Sequence, residues 1–159
     1  MTPKMISQDQ LSPEWQELLR AAQEAREKAY APYSRFKVGA AVRTDSGRIY
    51  AGSNVENASS GLTVCAERVA IWKAISEGEQ IIKALALITD PGATPCGACR
   101  QVMVEFEADF PILVADTSGN AWFTSLKTLL PDAFPRVSYQ EAVHLDDSLQ
   151  GESRHYSES

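Results

Sequence analysis

The sequence predicts an α/β domain, a three-layer α/β/α sandwich around a five-stranded mixed sheet. Three observations carry that reading. Segments with helical periodicity alternate with short apolar runs between residues 12 and 131. Asp45-Ser46-Gly47 is a turn signal between two runs rich in small and β-branched residues, which predicts a hairpin. Residues 81–89 are almost continuously apolar, as a strand covered on both faces would be. The element order is helix, two strands, helix, strand, helix, two strands, helix, which places crossover helices after the hairpin.

The first helix starts at Ser12-Pro13-Glu14: a hydroxyl at the cap, proline at the first position, then an acid at the positive end. Trp15, Leu18, Leu19, Ala22, Ala25 and Ala29 mark its buried stripe, and it is expected to run until just before Pro32, with 31–34 as a turn. Strands follow at 38–44 and 48–52, then a polar loop over 54–61. A helix is predicted from about 65 to 77 on Val69, Ala70, Ile71, Ala74 and Ile75, with Gly78 as its stop. After the strand at 81–89 comes a helix opened by Cys96 and carrying Val102, Met103 and Phe106. Strands are expected at 111–115 and 121–124, then a short helix capped by Ser125 and stopped by Pro131. One domain is expected over 1–144. The polar stretch 145–159 reads as a disordered tail.

Bulk properties exclude several roles. The formal net charge of −6 lacks the basic footprint of a nucleic-acid binder. No Gly-rich phosphate cradle or arginine cluster suggests a nucleotide ligand. Residues 1–10 have no apolar core of a signal peptide, and no apolar run approaches membrane-spanning length. Three cysteines do not make a disulfide framework, so the cytoplasm is the expected compartment.

All three cysteines sit in two segments, Cys65-Ala66-Glu67 and Pro95-Cys96-Gly97-Ala98-Cys99. Alone, Cys96-x-x-Cys99 reads as structural zinc or a redox pair; Cys65 as a third thiol changes that balance. Structural zinc sites are usually closed by four protein ligands, whereas catalytic sites keep three and leave room for water. The two histidines, His144 and His155, lie in the polar tail. Cys65, Cys96 and Cys99 are therefore expected to hold one catalytic Zn²⁺, with Glu67 as a proton shuttle. Two helix N-termini favour the thiolates, and Arg68 and Arg100 are candidate partners for the excess negative charge.

Zinc nucleobase deaminases carry His-x-Glu followed by Pro-Cys-x-x-Cys, with a three-cysteine variant. Here the pattern is Cys65-x-Glu67 and Pro95-Cys96-x-x-Cys99. Residues 54–70, 33–40 (Tyr-Ser-Arg-Phe-Lys-Val-Gly-Ala) and 129–134 (Leu-Leu-Pro-Asp-Ala-Phe) also resemble the three-cysteine cytidine deaminases of pyrimidine salvage, over about 11–134. The resemblance implies a cytidine deaminase-like fold and hydrolysis of cytidine and deoxycytidine by a zinc-activated water. It implies ribose contacts from Asn54 and Glu56, which otherwise read as loop residues satisfying backbone groups. It assigns Phe36 to the pyrimidine face, although Phe36 also fits a core position. It assigns the Ala66 backbone to the base. Phe134 would reach a neighbouring subunit's pocket in a homotetramer with shared sites, or else plug its own core. Ser60 departs from the family, where a tyrosine leans into the neighbouring site. Two rivals are a deaminase of a cytosine-containing antibiotic such as blasticidin S and a non-catalytic zinc-binding interaction module.

Overall fold

The computed structural model describes residues 3–134 and 136. Its strands are β1 (Ile6–Ser7), β2 (Gly39–Thr44), β3 (Ile49–Ser53), β4 (Ile82–Thr89), β5 (Pro111–Asp116) and β6 (Asn120–Ser125). Its α-helices are α1 (Pro13–Glu27), α2 (Ala66–Ser76), α3 (Gly97–Phe106) and α4 (Leu126–Leu129). The sheet order is β1-β6-β5-β4-β2-β3, with β4 and β5 parallel and every other described pair antiparallel.

The expected sandwich is present, with six strands rather than five. The additional β1 pairs Ile6 with Ala121 and Ser7 with Asn120 at the β6 edge. Two residues are too short for alternation to appear in a sequence. Gln8, the next residue, holds the strand in place. Its N–H donates to the Gly119 carbonyl at 2.9 Å, and its Nε2 donates to the Asp116 carbonyl at 2.8 Å.

Period-two alternation in the central strands divides the core between the two sheet faces. Leu85 and Leu87 of β4 and Ile112 and Val114 of β5 pack with α2 and α3. Ala84, Ala86 and Ile88 of β4 and Leu113 and Ala115 of β5 pack on the α1 side with Leu18, Leu19 and Ala22. Alanines on that second face let α1 sit close. At Gly39 the approach is so tight that an added Cβ would stand 2.6 Å from Arg26 Cβ and collide with the Ala22 carbonyl. Gly52 plays the same part opposite, where a Cβ would lie 2.7 Å from Ala70 N on α2.

Helix α1 ends at Glu27, earlier than the proline predicts, and Ala29 lies beyond it. Tertiary pairing is the reason. Tyr30 N–H donates to the Asn54 carbonyl at 3.1 Å, and Glu56 N–H donates to the Tyr30 carbonyl at 2.9 Å. Extended pairing at Tyr30 takes the backbone out of the helix before Pro32 can stop it. Ser12 holds the predicted cap position without a side-chain bond. Ser125 does cap α4, accepting from Thr128 N–H at 3.2 Å. The expected domain limit at 144 and the tail 145–159, with both histidines, lie outside the described residues.

The end of α2 follows from Gly78. With φ 95° it places its own N–H on the Ile75 carbonyl and the Glu79 N–H on the Ala74 carbonyl, both at 3.1 Å, a Schellman closure. Glu79 is thereby turned toward the β2–β3 hairpin. Its carboxylate accepts from Ser46 Oγ at 2.7 Å and from Tyr50 Oη at 3.2 Å. These donors, Ser46 first, hold the Glu79 carboxyl below its ordinary value of 4.5 despite burial. A carboxyl with a depressed folded-state pKa stabilises the fold above the unfolded pKa, and the contribution is lost as pH falls. Glu79→Gln should therefore melt below the wild type at neutral pH, and the two melting temperatures should converge below about pH 4. A gap that stays constant in thermal unfolding across that range would show that charge on Glu79 is not what holds the hairpin.

Candidate metal centre and active site

Helices α2 and α3 begin at cysteines. Cys65 and Cys96 each occupy the cap position in extended backbone, with φ, ψ of −70°, 152° and −67°, 165°. The Cys65 carbonyl accepts from Val69 N–H at 3.2 Å and the Cys96 carbonyl from Arg100 N–H at 3.1 Å. Neither side chain caps the backbone N–H groups of its own helix, which leaves both sulfurs available to a shared point. Cys99 adds a buried third sulfur from the first turn of α3.

The Sγ atoms of Cys65 and Cys96 are 3.9 Å apart, those of Cys96 and Cys99 3.6 Å, and all three lie within 4.8 Å. Tetrahedral zinc with Zn–S bonds of about 2.3 Å places neighbouring sulfurs about 3.8 Å apart. The donor set and its spacing fit zinc, and among the described residues no carboxylate or histidine completes the cluster.

The electrostatics favour charge on Cys65. A hydrogen bond from Cys99, then the Arg68 guanidinium and Cys96, hold its thiol well below the ordinary value despite partial burial. Cys99 shifts the other way, because it donates to Cys65 and is itself buried. Arg68 Nη2 stands 3.5 Å from Cys65 Sγ and donates to the Thr63 carbonyl, while its guanidinium lies over Trp72 at 5.9 Å from the ring centre. Arg100 does not share this task. Its Nε donates to the Pro95 carbonyl at 2.7 Å, Nη1 to the Leu129 carbonyl at 2.6 Å, and Nη2 to Thr94 Oγ1 at 3.1 Å.

Glu67 is in the first turn of α2 and only 4% exposed. Burial, with the neighbouring Cys65 charge adding to it, pushes its carboxyl up to about 7. Such a group takes up and releases a proton near neutrality. It lines a cavity of about 280 Å³ with Cys65 and Cys96.

Phe36, Asn54 and Glu56 line the same cavity. Asn54 Oδ1 accepts from Val38 N–H at 2.9 Å and its Nδ2 donates to the Phe36 carbonyl at 2.8 Å. Glu56 accepts from Tyr33 N–H at 2.8 Å, from Ser34 N–H at 3.3 Å, and from the Ser34 hydroxyl. Both loop residues thus shape the 33–38 segment that carries Phe36. These donors, the Ser34 hydroxyl first, also hold the Glu56 carboxyl below its ordinary value. Ala66 is fully buried at the start of α2, and its side chain is not in the lining. Phe134 is elsewhere, 77% exposed, with its carbonyl accepting from Gln101 Nε2 at 3.3 Å. Ser60 is an exposed residue of a 3-10 turn, Ser60–Leu62. Sequence patterning did not single out Leu87 and Thr89, two further wall residues. Period two along β4 from Leu85 is the signal that points them at the site.

Residues 13–114 match the family model of the cytidine and deoxycytidylate deaminase zinc-binding region. The chain belongs to that family. A cytidine deaminase from Halalkalibacterium halodurans is 48% identical over 122 residues, covering 75% of this chain and 92% of the relative. One from Sporosarcina psychrophila is 44% identical over 131 residues, covering 80% and 96%. The crystal structure of the Burkholderia pseudomallei cytidine deaminase superposes with a TM-score of 0.73 at 45% identity, covering 78% of this chain and all of that one. The matched region contains the three cysteines and Glu67, so family membership and sulfur geometry agree on zinc. No described helix is long and apolar enough to cross a membrane.

Removing one sulfur tests the ligand set. Cys96→Ala leaves two thiols for zinc and releases the link between the starts of α2 and α3. Metal content should fall to a small fraction of the wild-type stoichiometry, together with the melting temperature. Retention of one zinc per chain by elemental analysis would place the ligands elsewhere.

Proposed function

We propose that the chain hydrolyses cytidine and deoxycytidine to uridine and deoxyuridine, releasing ammonia; the relatives it matches are named cytidine deaminases. The observation that carries this is Glu67: a buried carboxyl on a cavity wall it shares with thiols at zinc spacing. Zinc held by Cys65, Cys96 and Cys99 supplies Lewis-acid activation of a water molecule. Glu67 would take one proton from the attacking water and pass it to N3 as the oxygen adds to C4. It would then take the second proton from the new C4 hydroxyl and pass it to the amine as the C4–N bond breaks, leaving the keto oxygen and ammonia. Its buried setting makes both transfers accessible near neutral pH. Arg68 offsets the thiolate charge.

Asn54 and Glu56 have bonding capacity left for a ribose hydroxyl. Asn54 retains an amide hydrogen and a lone pair after its two backbone bonds, and the Glu56 carboxylate has a further acceptor position. That pairing favours a nucleoside over an antibiotic such as blasticidin S. The cavity beside an intact Glu67 argues against a non-catalytic module. Phe36 offers an aromatic face to the base, and Ala66 its first-turn N–H. The reading extends to a single deaminase domain over 1–144 with 145–159 as a tail, and to the cytoplasm, where three free thiols stay reduced.

Glu67→Gln keeps the shape of the side chain and removes the proton carrier. Turnover, followed as loss of the cytosine ultraviolet band on cytidine, should fall by at least about 10²–10⁴ with zinc content unchanged. Near-normal turnover would remove Glu67 from the reaction.

A homotetramer with shared sites is part of the same proposal. Support comes from Phe134, a large apolar side chain that is 77% exposed. If it completes a neighbour's site, Phe134→Ala should raise KM while the protein stays folded. In mixed oligomers of Phe134→Ala and Glu67→Gln subunits the two defects should partly complement, because some sites would pair an intact Glu67 with an intact Phe134. Absence of recovery after demonstrated subunit exchange would confine Phe134 to its own subunit.

A further inference from the structure

One polar group in the cavity has no assigned task. Thr89 is the last residue of β4. Leu85 and Leu87 face α2 and α3 while Ile88 faces α1, so period two turns the Thr89 side chain toward the helix starts that carry the cysteines. Leu87 and Thr89 both line the cavity with Glu67 and Cys96. Thr89 is 2% exposed, and its hydroxyl finds no hydrogen-bond partner among the described residues. A buried hydroxyl left unpaired is destabilising, and valine would fill the same space without that cost. The partner therefore belongs to the occupied site.

We propose that the Thr89 hydroxyl binds the substituent at position 4 of the pyrimidine, a step that rests on the deaminase reading above. The reacting carbon has to lie at the metal and at Glu67, the groups that share this wall. The polar atom of the base that comes with it is the one the reaction exchanges. A hydroxyl both donates and accepts, so the same Oγ1 accepts from the 4-amino group of cytidine and donates to the 4-keto oxygen of uridine. Substrate and product are then held by one side chain with a rotation of its hydrogen.

The test uses the zinc-loaded full chain with Thr89→Val and Thr89→Ser. Thr89→Val should melt at or above the wild-type temperature without ligand, because an unpaired buried hydroxyl has been removed. Its kcat/KM on cytidine should fall about tenfold, the usual effect of one neutral hydrogen bond, and the rise in melting temperature on adding uridine should shrink. Thr89→Ser, which keeps the hydroxyl, should stay within a few-fold of wild type in both readouts. Unchanged kcat/KM and uridine response in Thr89→Val would overturn the proposal. So would a Thr89→Val protein whose ligand-free melting temperature drops together with its activity, since the hydroxyl would then serve the protein's own framework. A wild type inactive on cytidine would remove the deaminase reading and this assignment with it, whereas an active wild type matched by Thr89→Val removes this assignment alone.

Discussion

Three sulfurs within 4.8 Å of one another are the constraint on which the rest of the molecule depends. Thiolates at that spacing repel strongly in a partly buried setting unless a cation lies between them. The chain prepares for that cation from several directions. Two helix starts aim partial positive charge at the cluster, and Arg68 approaches from the side.

Bringing two helix starts to one point requires that the layers above and below the sheet sit at fixed depth. Gly52 brings α2 down onto β3, and Gly39 lets α1 close on the opposite face. The parallel pair β4–β5 supplies the crossover through α3, so Cys96 emerges from the same end of the sheet at which Thr89 finishes β4. Topology alone thus puts metal ligands, Glu67 and a strand-end hydroxyl on one cavity. The loop residues Asn54 and Glu56 close the remaining side by gripping the 33–38 segment through its backbone.

Much of this was legible in the residues themselves, and what was not has identifiable causes. Ligand chemistry is carried by rare residue types, so Cys65, Cys96, Cys99 and Glu67 could be picked out from spacing. Local turn chemistry likewise marked Gly78 and the 45–47 hairpin. By contrast, β1 is too short for a pattern, and α1 ends at Glu27 because Tyr30 pairs with a loop more than twenty residues away. Arg68 and Arg100 look equivalent in sequence, each beside a ligand segment. They part because Arg100 finds carbonyl oxygens, a partner every residue offers and no sequence motif advertises. Thr89 stays hidden for a related reason: threonine in a strand is ordinary until its hydroxyl is seen to be unpaired.

The grip of Arg100 has a mechanical meaning. One planar guanidinium fastens the Pro95 carbonyl, immediately before a metal ligand, to the Leu129 carbonyl at the end of α4. The segment that leads on to Phe134 is therefore tied to the metal loop as well as to the core beneath α4. Lysine could carry the charge but not the fork, because a single ammonium cannot span both carbonyls in one plane.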